Sequence, residues 1–306
     1  MRRIGPTLAL ACVAAMVLIG SVQSAPASTS SPAPICGQVK KGCSLWAVRD
    51  KWAITPSIYT ATFIPKAQSS SIHVYAAWIR TTATDLALYP GYKGPGPSSL
   101  SRGPEMVPVT ARKRLLATFN SGFYEADNAA GFYAHSTLYY PMVRGLATVV
   151  RYRDGTVDVL AWTGGSKPGP DVVMARQNLT LLVSRSAPTT RSLTNSLWGS
   201  TLNGVPAVWR TALGIDATGN LIYAAAPAQT SASMAKVMVA LHCVRAMQLD
   251  INPAWPIFVT YQAPNAQGPS LFVPNSNQIA GRFLYPSTKD FFAVYQTVVP
   301  GEQQPW

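Results

Sequence analysis

Short runs of apolar and β-branched residues separated by turn residues dominate the chain from about residue 45 onward. Such runs predict strands at 59–65, 71–80, 85–89, 115–119, 144–153, 156–162 and 257–261. The pair Asp154-Gly155 separates two of them and is a strong two-residue hairpin signal. Residues Asp216 to Asn220 form a similar turn signal inside the segment 210–226. The pattern therefore predicts a strand-rich domain that contains several hairpins.

One segment has helical rather than alternating periodicity. Its apolar residues recur three or four positions apart at Met234, Val237, Met238, Leu241 and Val244. Ser231 or Ser233 can cap its start, and its other face is apolar as well, so we expect a buried helix at about 233–248. Strands with few helices, and a strand–helix–strand unit late in the chain, predict an α+β fold: a mixed, strand-rich single domain.

The first 27 residues have the three parts of a secretory signal peptide. Arg2 and Arg3 precede an unbroken apolar run at 8–20, and small residues suited to cleavage follow at 22–27. The alternative is an N-terminal membrane anchor, for which this apolar run is short. No second run of 18 apolar residues occurs in the chain. We therefore expect a secreted or cell-wall-associated protein with no stable transmembrane segment after cleavage.

The predicted signal peptide leaves three cysteines. Residues 28–44 are interpreted as a flexible lead, within which Cys36 and Cys43 could close a small disulfide loop in an oxidising compartment. Cys243 lies in an apolar stretch that is typical of a buried thiol. Three cysteines cannot hold a disulfide scaffold together, so residues 45–300 must fold around a hydrophobic core.

Composition and charge narrow the class of protein. The 306 residues are 48% hydrophobic and only 12% charged, which excludes an intrinsically disordered chain. The formal net charge of +13 favours polyanionic partners such as nucleic acid, anionic lipid or a phosphate-bearing glycan. The basic residues are scattered, and a secretory route leads away from nucleic acid, so we expect no nucleic-acid partner. Abundant arginine, alanine, threonine and serine suggest a bacterial extracellular protein.

Motifs of several enzyme classes are missing from the sequence. His73, His135 and His242 lie far apart and form no HxH or HExxH pair, so we predict no metal site. The chain has no GxSxG nucleophile elbow and no phosphate-binding loop of the nucleotide-hydrolase type. We expect no cofactor.

Three of the twelve acidic residues stand in unusual surroundings. Glu125 and Asp127 directly follow the segment 119–124, and Asp250 lies between Leu249 and Ile251. A carboxylate among apolar residues is paired with a cation, neutral, or directed into a cleft. Arg210 precedes an apolar strand and is a plausible partner for Asp250. The alternative is that Asp250 only caps the turn before Asn252-Pro253.

Three segments in order resemble segments of the phosphodiester glycosidase family. ATFNSGFYEAD at 117–127 is similar to its Asn-Gly-Gly-Phe-Phe segment, and RTALGIDATGNLIYAAA at 210–226 is similar to its Arg-Thr-Ala-x-Gly-x-Asp hairpin. ASMAKVMVALHCVRAMQLDIN at 232–252 resembles its helix that leads into Leu-Asp-Gly-Gly-Gly-Ser. The resemblance covers roughly residues 110–265.

The resemblance implies a hydrolase that cleaves the sugar–phosphate bond of glycosyl phosphodiesters in the cell envelope or an extracellular glycan. Carried over by position, the catalytic residues would be Asp250, Arg210 and Asn120. The substrate-binding residues would be Asn252, Ser121, Glu125 and Asp127. Arginine presents a planar fork that suits phosphate oxygens, and one carboxylate could serve as base or stabilise a cationic sugar.

One departure from the family keeps a second function open. Where the family has Gly-Gly-Gly-Ser after the aspartate, this chain has Ile251-Asn252-Pro253-Ala254, which cannot approach a ligand with the same backbone. The alternative is therefore a non-catalytic binding module for anionic wall polymers on the same fold. If the site exists, we expect the Arg210 guanidinium within direct or one-water reach of the Asp250 carboxylate, with Asn120 on the same cleft wall.

Overall fold

Twenty short strands and a single α-helix build the part of the chain that this computed structural model describes, namely residues 31–97, 100, 102–124, 127–128, 130–200 and 204–297. The predicted signal peptide lies outside these residues. Residues from Ser31 onward belong to one compact unit.

In chain order, the first ten strands are β1 (Ile35–Cys36), β2 (Cys43–Ser44), β3 (Ala47–Val48), β4 (Ile58–Phe63), β5 (Val74–Ile79), β6 (Thr84–Tyr89), β7 (Leu115–Asn120), β8 (Phe132–Ala134), β9 (Thr137–Tyr140) and β10 (Ala147–Tyr152). The remaining strands are β11 (Val157–Ala161), β12 (Val172–Gln177), β13 (Leu181–Ser184), β14 (Ala187–Pro188), β15 (Val208–Asp216), β16 (Leu221–Gln229), β17 (Cys243–Gln248), β18 (Phe258–Ala263), β19 (Gln267–Leu271) and β20 (Phe291–Gln296). The helix α1 spans Ser231–Ala240, and short 3-10 turns occur at Thr81–Ala83, Val109–Arg114, Thr190–Leu193, Asn195–Leu197 and Arg282–Leu284.

Three antiparallel sheets enclose the main core. The central sheet has eight strands in the order β14-β13-β17-β15-β16-β5-β4-β3. Two five-stranded sheets have the orders β11-β10-β12-β8-β9 and β19-β18-β7-β20-β6. The largest apolar cluster takes residues from all three sheets, including Ile79, Phe119, Val149 and Tyr223. The strand-rich, single-domain α+β prediction is therefore confirmed, and so are the hairpins β10–β11 and β15–β16.

The central sheet is buried on both faces, which explains its nearly continuous apolar sequence. Successive residues of a strand point to opposite faces. In β16, Leu221 and Tyr223 pack into the core between the sheets, whereas Ile222 and Ala224 pack into a second cluster that contains α1. The helix therefore covers the outer face of this sheet.

The connection through α1 places the chain after β17 next to the start of β15. Strands β16 and β17 both pair antiparallel with β15, which lies between them. Beyond the end of β17, the Thr211 amide donates to the Asp250 carbonyl at 2.8 Å, and the Leu249 amide donates to the Thr211 carbonyl at 2.8 Å. This pairing fixes the backbone of Asp250.

The predicted helix at about 233–248 is wrong in its second half. The helix begins after Thr230, whose hydroxyl accepts from the Ser233 amide, and ends at Ala240. His242 follows with a φ of 64°, and residues 243–248 form strand β17. A short apolar run can form either a helix or a strand. Residues 243–248 form a strand because they hydrogen-bond with both β13 and β15.

The segment interpreted as a flexible lead is ordered from Ile35 onward. Cys36 and Cys43 form a disulfide that closes the hairpin β1–β2, as the sequence allowed. Ile35 and Val39 are buried against the outer cluster of the central sheet. Two apolar side chains therefore attach this disulfide-closed hairpin to the domain. Among the described residues, no helix is long and apolar enough to cross a membrane.

Candidate functional site

A cavity of about 620 Å³ opens beside the Asp250 backbone. We call it the Asp250 cleft. Its walls come from four loops and the start of β15, and its lining residues are Phe123, Tyr124, Asp127, Gly199, Ser200, Val205, Val208, Asp250, Ile251, Asn252, Pro253, Trp255 and Lys289. The surface is mainly apolar and aromatic, and a few charged groups project into it. Small-molecule sites commonly have this composition.

Asp250 is held by hydrogen bonds on both its backbone and its side chain. Its amide donates to the Thr211 hydroxyl at 2.8 Å, and its carboxylate Oδ1 accepts from the Asn252 amide at 2.9 Å. The side chain is 3% exposed. The carboxylate therefore faces the cleft in a fixed orientation, largely withdrawn from solvent.

The cation that balances Asp250 is Lys289. Its Nζ forms a buried ion pair with Asp250 Oδ2. Burial raises the pKa of Asp250, and the Lys289 charge opposes that increase. The Ser287 hydroxyl holds the Lys289 backbone in place by donating to the Lys289 carbonyl at 2.7 Å. The ion pair thus joins the end of β17 to the loop before β20.

Two aromatic rings surround this cation. Lys289 Nζ lies 4.8 Å from the centroid of the Tyr124 ring and 5.1 Å from the centroid of the Trp255 ring. The two rings contact each other edge to face at 6.2 Å. Burial raises the pKa of Tyr124, so its hydroxyl is neutral near neutral pH. Cation–π contact and the carboxylate together hold the ammonium group in a water-poor position.

A second ion pair starts from the next residue but does not reach the cleft. Asp290 Oδ2 lies 2.9 Å from Arg176 Nε, and both side chains are almost fully buried. The same guanidinium donates to the carbonyl oxygen of Phe123, which is a cleft residue. This pair fixes the loop that carries Phe123 and Tyr124, and neither Arg176 nor Asp290 lines the cavity.

Arg210 does not have the position that the resemblance implies. It is fully buried, and it donates to neutral oxygens of Gln229, Trp198, Gln248 and Asn195. Within the part of the chain that the structure describes, it forms no ion pair with Asp250 and does not line the cleft. Strand alternation is the reason: Thr211 faces Asp250, so the neighbouring Arg210 points to the other side of β15. Burial lowers the pKa of Arg210 to about 10.

Asn120 and Ser121 lie behind the cleft rather than on its wall. The Asn120 amide donates to the Thr211 hydroxyl at 3.0 Å, and its Oδ1 accepts from the Tyr223 hydroxyl at 2.9 Å. Since Thr211 also bonds to Asp250, Asn120 supports the carboxylate through one intervening residue. The Ser121 hydroxyl is fully buried and has no hydrogen-bond partner among the described residues.

The structure places only some of the other predicted substrate-binding residues at the cleft. Asn252 and Asp127 line the cleft, and Asp127 is exposed. Glu125 lies outside the described residues. Of the seven predicted site residues, the structure brings Asp250, Asn252 and Asp127 together at one cavity.

Sequence reasoning missed Lys289, Tyr124 and Trp255. A usable signal was present for two of them. Trp255 lies between two prolines in a loop, and Lys289-Asp290 precedes the strongly apolar β20, where a charged pair must find buried partners. Among the described residues, no group of three or more histidine, cysteine or acidic side chains could hold a metal ion.

The fold is similar to that of a known glycosidase domain. The structure resembles the catalytic domain of zebrafish N-acetylglucosamine-1-phosphodiester alpha-N-acetylglucosaminidase auto-inhibited by its pro-peptide, with a TM-score of 0.51 and 17% identity over 83% of this chain and 88% of that chain. At this identity the likeness shows a shared fold and nothing finer.

Two other solved structures overlap less well. A hypothetical protein from Synechocystis has a TM-score of 0.46 and 12% identity, over 79% of this chain and 62% of that chain. A protein from Burkholderia pseudomallei, described as a candidate exported protein, has a TM-score of 0.41 and 13% identity, over 77% of this chain and 74% of that chain. No family model matches the sequence, and no curated protein matches it by sequence.

Proposed function

We propose that the Asp250 cleft binds a glycosyl phosphodiester and hydrolyses its sugar–phosphate bond. The observation that carries this proposal is the buried Asp250 carboxylate, ion-paired with Lys289, in a cleft lined by Trp255 and Tyr124. Aromatic rings offer flat apolar surfaces to sugar rings, and the charged groups suit an anionic, polar ligand. The fold shared with the zebrafish domain is consistent with this chemistry.

One carboxylate is enough for this particular reaction. Ordinary glycosidases use two carboxyl groups, because a sugar leaving group must be protonated as it departs. A phosphomonoester departs as a stable anion and needs no such proton. The site therefore needs a base for water and a means of stabilising charge, which Asp250 and the nearby cations can supply.

The proposed step balances as follows. A water molecule attacks the anomeric carbon, and Asp250 accepts one of its protons. The bond between that carbon and the bridging oxygen breaks, and the electron pair leaves with the phosphomonoester. The products are a free sugar and a phosphomonoester. The charge of Lys289 favours the ionised form of Asp250, because it opposes the increase in pKa that burial causes.

We further propose that the protein acts outside the cytoplasm, on envelope or extracellular glycans. The tripartite N-terminus and the Cys36–Cys43 disulfide support this location. The N-terminus of secreted material should begin near Ala25 or Ser28. Recovery of intact Met1 in the membrane fraction would refute cleavage and support the anchor alternative.

A binding module without catalysis is the second candidate. It is favoured by the fact that both Asp250 oxygens already have partners, Lys289 and the Asn252 amide. It is also favoured by Ile251 and Pro253, which stand where the resembling family has glycines. In this case the cleft would bind an anionic wall polymer and release no sugar.

The two candidates are separated by a product assay. Methyl phosphodiesters of N-acetylglucosamine, glucose and galactose 1-phosphates would be incubated with the purified protein, and free sugar and methyl phosphate measured. We expect equimolar products from at least one substrate. In Asp250→Asn the rate should fall by about 100-fold or more, whereas Asp171→Asn, on an exposed loop residue, should match wild type.

The results of this assay distinguish the enzyme from the binding module. If wild type, Asp250→Asn and Asp171→Asn give the same background, the enzyme proposal is refuted. Calorimetric binding of the same diesters to wild type without turnover would then support the binding module. Neither binding nor turnover with any of the three diesters would refute both candidates.

A further inference from the structure

Two cations lie close to Trp255, and they differ in how they are paired. Lys289 Nζ and Arg282 Cζ each lie 5.1 Å from the centroid of the Trp255 ring, so they are at most about 10 Å apart. Lys289 is paired with Asp250. Among the described residues, no carboxylate lies within ion-pairing distance of Arg282. Arg282 therefore lies against the cleft residue Trp255 without an ion-pair partner among the described residues, although it is not itself one of the residues that line the cavity.

The hydrogen bonds of Arg282 leave most of its donors available. A guanidinium carries five N–H donors, and the described contact uses one of them, from Nη2 to the Thr288 hydroxyl at 3.4 Å. The side chain is half-buried and stacks near the rings of Trp255 and Phe283. It is thus held by packing, and most of its donors have no hydrogen-bond partner among the described residues.

Arg282 also belongs to the same wall as the cleft aromatics. Arg282 and Tyr124 both contact the Trp255 ring, the first by a cation–π contact and the second edge to face, and Tyr124 and Trp255 line the cavity. Arg282, Thr288, Tyr124 and Trp255 therefore form one connected group. This group continues to Lys289 and Asp250 through the cation–π contacts.

We propose that Arg282 binds the phosphoryl oxygens of the substrate, in the role that the sequence resemblance assigns to Arg210. The inference rests on the proposed function and adds the direction of binding: the phosphate lies against Arg282 and Thr288, and the sugar extends toward Asp250. Because Lys289 is already paired with Asp250, Arg282 is a positive charge next to the cleft that can meet the single negative charge of a phosphodiester without competing with an ion pair between described residues. The planar fork of arginine can hold two phosphate oxygens at once.

The test compares a charged and a neutral ligand that carry the same sugar. Calorimetric dissociation constants would be measured for the best-bound methyl phosphodiester of the panel and for the neutral methyl glycoside of that sugar. Arg282→Gln should weaken diester binding by about tenfold or more and leave glycoside binding unchanged. Arg282→Lys should give an intermediate loss, because it keeps the charge without the fork. Arg153→Gln is the matched control at an exposed arginine.

Each result supports or overturns the inference. Equal weakening of both ligands in Arg282→Gln would mean that Arg282 only supports Trp255, and the inference would be wrong. Unchanged diester binding would also overturn it, while the proposed function would stand on its own assay. If wild type binds no diester, the proposed function fails first. Thermal unfolding of each variant establishes that the protein measured is folded.

Discussion

Arg210 and Lys289 are both buried cations near the end of β17, yet they serve different parts of the molecule. Arg210 is fully buried, and its contacts are neutral oxygens of backbone and amide groups. Lys289 is 4% exposed, contacts a carboxylate, and lines a cavity. The first arrangement satisfies donors and acceptors within the fold, whereas the second leaves a charged pair in the lining of a cavity.

The comparison teaches that a motif position does not determine a role. Arg210 lies in the segment that resembles the glycosidase hairpin, but its side chain ties Trp198 and Gln248 together on the far side of β15. Lys289 lies in no motif, but it meets Asp250 through the fold. The direction of a side chain from its strand, together with the charge of its neighbours, separates the cation held within the fold from the one that lines the cavity.

The largest expected effect is on stability, from Arg210→Met. The substitution removes the donors for several buried oxygens, so the free energy of unfolding should fall by about 2–5 kcal/mol. Chemical denaturation would measure this loss. The acid limb of the pH–rate profile should stay where it is in wild type, because Arg210 does not pair with Asp250.

Arg153→Met, at an exposed arginine, provides the control and should change stability by less than about 0.5 kcal/mol. If Arg210→Met retained wild-type stability but lost diester binding, the assignment of Arg210 to the fold and of Lys289 to the cleft would be wrong. That result would return Arg210 to the role the resemblance implies.

The next effect is on pH dependence, from Lys289→Met. Lys289 lowers the pKa of Asp250 against the effect of burial, so its removal should raise that pKa. In the proposed reaction the ionised form of Asp250 is the base, so the acid limb of kcat/KM should move up by about 1–3 pH units. A pH–rate profile of the variant beside wild type measures the shift.

Stability gives an independent readout of the same change. In Lys289→Met, the folded-state pKa of Asp250 lies further above the unfolded value. Protonated Asp250 therefore favours the folded state at low pH, and this advantage is lost as pH rises from the unfolded pKa through the folded one. The variant should thus be most destabilised relative to wild type at neutral and higher pH. A uniform loss at every pH would contradict the assigned pairing.

The smallest effect is expected far from the charged pairs, at the disulfide. The double variant Cys36→Ala/Cys43→Ala opens a short loop, so the free energy of unfolding should fall by about 2 kcal/mol. The hairpin contributes no residue to the Asp250 cleft, and ligand binding by the folded variant should be unchanged. Reduced diester affinity at full folding would show that this hairpin shapes the cleft.

Much of the fold follows from local sequence, because strand alternation and turn residues are local signals. The hairpin at Asp154-Gly155 is an example, although Arg151 pairs with Val157, so that the turn holds three residues, 153–155, rather than the two that the dipeptide predicts. The end of α1 is a counterexample. Residues 243–248 have no local preference strong enough to choose between helix and strand, and the central position between β13 and β15 makes the choice.

The site was predictable only where a residue conflicts with its neighbours. Asp250 stands between two apolar residues, and that conflict indicated a carboxyl group that is paired with a cation, neutral or directed into a cleft; the alternative of a turn cap also holds, because its Oδ1 accepts from the Asn252 amide. The identity of the partner depends on a loop 39 residues further along the chain, and no spacing rule reaches that far. Arg210 was misplaced because the sequence gives the strand but not which face of it meets Asp250.

The central claim, hydrolysis at the anomeric carbon within the Asp250 cleft, is tested most directly by isotope labelling. The diester that gives turnover would be hydrolysed in H₂¹⁸O, and both products analysed by mass spectrometry before the free sugar exchanges its anomeric oxygen with water. We predict that wild type places the label in the sugar and none in the methyl phosphate, and that Asp250→Asn yields background amounts of either. Label in the methyl phosphate, or full turnover by Asp250→Asn, would contradict the claim.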